Sequence, residues 1–121
     1  MKKLIFILLV ACVSVTQAQK FKGLDSSPLD KSTYPVANKI TEKAVIVYYS
    51  RPQLKGRFME DILTYGKVWR TGANESTEII FNKSVKIGDT VIQPGTYSLY
   101  SIPSEESLMV IINTAKNTWG A

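Results

Sequence analysis

Two stretches concentrate the side chains that can do chemistry. YYSRPQLKGR brings Arg51, Lys55 and Arg57 together just past an apolar run, and YGKVWRTGANES adds Trp69, Arg70, Asn74 and Glu75. Arginine forks grip carboxylate or phosphate through paired charge-assisted hydrogen bonds, and a tryptophan face stacks on flat or sugar-like groups. If the two stretches converge, Arg51, Arg57, Trp69, Arg70, Asn74 and Glu75 could hold an anionic or sugar-like ligand. With Glu75 as base and Arg70 as electrostatic stabiliser, they could also support a hydrolase. The same residue types serve structure equally well. Long loops must satisfy their backbone groups, and Arg and Glu do so readily. On that reading Arg70 and Glu75 form a pair pinning the loop, Trp69 plugs the core, and Gly56, Gly66 and Gly72 are turn residues with positive φ.

Composition removes other chemistries. The chain has no histidine, and its one cysteine is Cys12. Ser-His-Asp catalysis and Cys/His zinc sites are therefore excluded. Proton transfer would fall to Asp, Glu, Lys or Tyr. No cofactor motif or metal-ligand spacing is present; GDTVIQPG lacks the strand and lysine context of a phosphate loop.

Residues 1–18 have the layout of a signal peptide: Lys2 and Lys3, an apolar stretch from Leu4 to about Val15, then small polar residues ending at Ala18. The stretch is short of the about 20 apolar residues of a membrane-spanning helix. An exported protein, periplasmic or secreted, is expected, with no transmembrane helix after cleavage. The alternative is a lipobox at LVAC, with a lipid anchor on Cys12 at a membrane surface. Cleavage after Ala18 leaves 103 residues carrying 13 basic and 10 acidic side chains. That balance is too mild to argue for nucleic acid, and no partner is specified.

The elements that must position the two stretches read as β. Residues 19–39 carry Pro28 and Pro35 without an apolar period and are expected to be irregular. ITEKAVIVYYS, Ile40 to Ser50, is a strand candidate apolar on both faces, and so buried on both sides. FMEDILTYG allows one short helical turn inside a long loop. STEIIFN, SVKIGDTVIQPGTYSLYSIP and SLMVIINT resume the strands, with turns at Gly88-Asp89 and Pro94-Gly95. PSEES reads as a hairpin loop. Tyr97 and Tyr100 fall on opposite faces of one strand, one in the core and one at its rim. The fold class is all-β: one small antiparallel domain over residues 40–121, sandwich-like or open-barrel. NTWGA reads as the lead into another strand, so the domain would lack C-terminal strands.

The segments YSRPQLKGR, YGKVWRTGANEST, IQPGTYSLYSIP and VIINTAKNTWGA, in this order, carry a resemblance. They are similar to the bacterial family catalogued as domain of unknown function 2911, from about Val36 to Ala121. The resemblance implies an exported protein, often with a signal peptide or lipidation signal, and no established reaction, ligand or partner. Members usually continue past Trp-Gly-Ala, where this sequence stops. The expected function is therefore an uncharacterised, exported, non-catalytic binding or structural module. The alternatives are the hydrolase-like enzyme and a truncated, inactive copy, and residue types alone do not decide whether the protein is an enzyme.

Overall fold

The computed structural model describes residues 19–120. The leader, its cleavage site and Cys12 lie outside the described residues. Seven strands follow one another: β1 (Leu29–Tyr34), β2 (Val45–Ser50), β3 (Thr77–Phe81), β4 (Val85–Ile87), β5 (Thr90–Ile92), β6 (Gly95–Pro103) and β7 (Leu108–Asn113). Five form one antiparallel sheet in the order β1-β2-β3-β6-β7, and β4-β5 form a separate hairpin. The sheet does not close into a barrel. The helical turn is a single 3-10 turn, Met59–Asp61, whose Asp61 carboxylate accepts from the Phe58 N–H.

Local sequence explains most of these elements. β2 and β3 are runs of β-branched and aromatic residues paired with Val47 opposite Ile79. Gly88, at φ 58°, turns the chain between β4 and β5, where a side chain would be strained. The Ser104 and Ser107 side chains and backbones close the PSEES loop between β6 and β7.

Two expectations need correction. The segment over residues 19–39 is not irregular throughout, because β1 lies in it, paired to β2 with Ser32 opposite Val47. Its sequence, LDKSTY, lacks an apolar period because it is an edge strand with little to bury. Nor is β2 buried on both sides. Its first five residues are half-buried and only Ser50 is fully enclosed. On one face, Ile87 and Val91 of the hairpin border a groove with Tyr97, Val110 and Ile112 of the sheet. The chain after β7 crosses the other, where Ala115 accepts a bond from Ser98.

Among the described residues neither face carries a complete second layer, so the core is small. Among the described residues only Phe81 and Tyr100 are buried hydrophobics, whereas Ser50, Thr77, Ser98 and Ser101 are buried hydroxyls. Phe81 meets Tyr97 in a tilted ring contact, centroids 5.9 Å apart. Tyr97 is the half-buried rim partner, its hydroxyl donating to the Gln93 carbonyl.

Candidate functional site

Where β3 has already turned away, β6 still needs a neighbour. The segment Gly66–Thr71 supplies it. Gly66 N–H donates to the Pro103 carbonyl, and Trp69 and Ser101 exchange backbone bonds of 2.7 and 2.9 Å. The chain then reverses sharply. Thr71 sits at φ 56° and Asn74 at φ 59°. The left-handed region disfavours a β-branched residue such as Thr71, and surrounding bonds must hold it there. Thr71 Oγ1 donates to the Trp69 carbonyl and shares a 2.9 Å bond with Ser101 Oγ; its own carbonyl accepts from Thr77 Oγ1 at 2.8 Å. The Trp69 indole N–H donates to the Gly72 carbonyl at 3.1 Å. Every one of these bonds ties the loop to itself or to the sheet.

The two chemical stretches do meet. Gly72 packs on Ser50, the residue before Arg51: a Cβ on Gly72 would lie 3.2 Å from the Ser50 carbonyl oxygen and 3.2 Å from Thr77 Oγ1. Gly72 is therefore needed for close approach rather than for positive φ, whereas Gly56 and Gly66 have the expected left-handed backbone. Asp25, a residue with no sequence signal beyond its charge, ties the N-terminal segment to the second stretch. Its carboxylate accepts from Ser27 N–H and from the Asn74 amide. These two bonds, in that order, hold its pKa below the ordinary carboxylate value, helped by Lys22 and Lys55.

The individual candidates divide. Arg51 is exposed and pairs with Asp30 at 3.3 Å, the one ion pair among the described residues. Arg57 bonds back to the Leu54 and Gln53 carbonyls and so shapes its own loop. No ion pair joins Arg70 to Glu75 among the described residues, contrary to the pairing drawn from the sequence. The reversal at Thr71–Asn74 separates them, and Glu75 stays exposed while its backbone bridges Trp119. Arg70 Nε is buried without a hydrogen-bond partner. The sheet thus brings Trp69, Arg70, Asn74 and Glu75 beside the root of Arg51, and leaves Arg57 to its own loop.

Sequence reasoning passed over a hydroxyl cluster on the opposite face. Ser76 Oγ contacts the Tyr100 hydroxyl, Thr118 Oγ1 and the Gly120 carbonyl, and Tyr100 also bonds Thr118. Hydrogen bonding from Ser76, then Thr118, holds the Tyr100 phenol below its ordinary pKa against the opposing effect of burial. Beside this cluster lies a cavity of about 270 Å³, lined by Tyr48, Glu75, Glu78 and Asn117 among others. No group of three or more His, Cys, Asp or Glu side chains is placed to hold a metal ion among the described residues.

An open antiparallel sheet, clasped at one end by a hydroxyl-tied tryptophan loop, defines the class. The chain belongs to the family described as protein of unknown function DUF2911, whose model matches residues 27–121. No curated protein and no solved structure matches it.

Proposed function

We propose that the protein is a non-catalytic interaction module that works outside the cytoplasm. One observation carries this reading. The described residues leave an apolar strip uncovered along β7, where Leu108, Met109 and Val110 are 53%, 62% and 54% exposed. Large exposed apolar patches mark interaction surfaces. The groups that a hydrolase would need support the same view. Trp69 is engaged by its own loop, and Glu75 lies exposed with no ion-pair partner among the described residues. The leader over residues 1–18 supports export, and among the described residues no helix is long and apolar enough to cross a membrane.

The test has two arms. The full chain and Glu75→Gln are incubated with chromogenic esters, phosphate esters and glycosides; neither should turn over any of them. Hydrolysis lost in Glu75→Gln would replace this reading with the hydrolase. An anilinonaphthalene sulfonate dye should bind the chain saturably at a dilution that keeps it monomeric, and bind less to Val110→Lys. A monomer that binds no dye would remove the apolar strip as an interaction surface.

A further inference from the structure

Resting on the interaction-module reading, we infer that the partner is a second copy of this chain, paired antiparallel along β7. Among the described residues the sheet order leaves two edges, β1 and β7. An edge strand presents unpaired N–H and C=O groups that template another strand unless charge, proline or a bulge blunts it. β1 is blunted: it carries Asp30 and Lys31, Asp30 is ion-paired to Arg51, and Pro35 follows it. β7 reads LMVIIN, with no charge, proline or glycine.

The strand is self-complementary. Residues directly opposite in a sheet share a face. A two-fold axis at Val110 sets that residue against itself, Leu108 against Ile112 of the second copy, and Met109 against Ile111 of the second copy. Every such pair is apolar. Charges outside the strand favour the same direction. Glu105 and Glu106 are exposed in the turn that precedes β7, and Lys116 is exposed just beyond its end. Antiparallel pairing brings the acidic turn of each copy toward Lys116 of the other, whereas parallel pairing would set glutamates on glutamates. Such rim charges steer orientation more than they add affinity.

The neighbouring groove fits this arrangement. It measures about 510 Å³ and lies between the β4-β5 hairpin and the sheet, lined by Ile87, Val91, Tyr97, Val110 and Ile112 among others. Val110 and Ile112 of the second copy would extend its floor on the same face. The contact is isologous, so it closes at two copies. Five strands from each copy would make one sheet of ten.

The full chain with Cys12→Ser, which then has no cysteine, is the background for the experiment. Sedimentation velocity should show a monomer–dimer equilibrium, and Val110→Lys should raise the dissociation constant at least about tenfold. Under a mild thiol oxidant, Val110→Cys should give a disulfide-linked dimer and Lys31→Cys, on the blunted edge, should not. A wild-type chain that stays monomeric, or a dimer untouched by Val110→Lys, overturns the inference. A monomer that still binds the dye overturns self-pairing alone. One that fails to bind it overturns the interaction-module reading as well.

Discussion

Replacing Gly72 by alanine tests the clasp at its tightest point. The added methyl would stand 3.2 Å from the Ser50 carbonyl oxygen, 3.6 Å from the Ser50 nitrogen and 3.2 Å from Thr77 Oγ1. None of these atoms moves easily. Ser50 is backbone in β2, paired to Leu29 of β1, and the Thr77 hydroxyl is fixed by its 2.8 Å bond to the Thr71 carbonyl. Overpacking of this kind costs about 1–3 kcal/mol. Against it, alanine restricts the unfolded chain and returns about 0.4–1 kcal/mol. The net loss should be about 1–2 kcal/mol, a large part of the roughly 5–15 kcal/mol that holds a domain together. Urea unfolding followed by tryptophan fluorescence measures it, because Trp69 bonds to the Gly72 carbonyl itself. Gly23→Ala is the control: nothing lies within 4 Å of its Cβ position. If Gly72→Ala unfolds at the same urea concentration as wild type or higher, close approach to Ser50 does not hold the loop.

Three further outcomes follow from the same geometry. Thr77→Val keeps the shape but strips the Thr71 carbonyl of its side-chain donor. In urea it should lose about 1–3 kcal/mol, the penalty for a buried unsatisfied acceptor. Arg70→Met removes a buried Nε that has no hydrogen-bond partner. It should leave stability within about 1 kcal/mol of wild type, well short of the about 3–5 kcal/mol lost when a buried ion pair is broken. Asn74→Gly tolerates the left-handed backbone but removes the amide that bonds Asp25. The Asp25 carboxyl, followed by NMR titration, should then titrate closer to its ordinary 3.8. The sign is that of any depressed carboxyl: its stabilisation is complete above 3.8 and fades as pH falls through the lower, folded-state value.

The strands legible in the sequence were those with apolar content. β2, β3, β6 and β7 stand out by β-branched and aromatic runs, and Gly88-Asp89 and Pro103 to Ser107 punctuate them. β1 was not legible because an edge strand that carries Asp30 and Lys31 has no need of alternation. The bridge from Trp69 to Ser101 was hidden for a different reason. It is a short contact between segments far apart in sequence, made by backbone groups that every residue has. The cluster of Trp69, Arg70, Asn74 and Glu75 could be located from residue types, and so could the loop of Arg51 and Arg57. What each does could not, because Arg57 bonding its own carbonyls and Arg70 missing Glu75 depend on backbone turns at Lys55, Thr71 and Asn74. The hydroxyls of Ser50, Thr77, Ser98 and Ser101 carried no signal. Serine and threonine inside apolar runs look like solvent-facing positions until the chain folds over them.

A core built from hydroxyls changes how the fold responds to heat. Exposing apolar surface raises the heat capacity of unfolding, and exposing polar surface lowers it, with about 12–15 cal/mol/K per residue as the usual balance. Among the described residues Ser50, Thr77, Ser98 and Ser101 are buried, and the only buried large hydrophobics are Phe81 and Tyr100. Calorimetry of the dilute chain should therefore give a per-residue value below that range, and a stability curve with little curvature. The β7 strip supplies the missing apolar area only when something covers it. The measured heat capacity should then climb toward the usual range as protein concentration rises, and the breadth of the melting transition becomes a gauge of association.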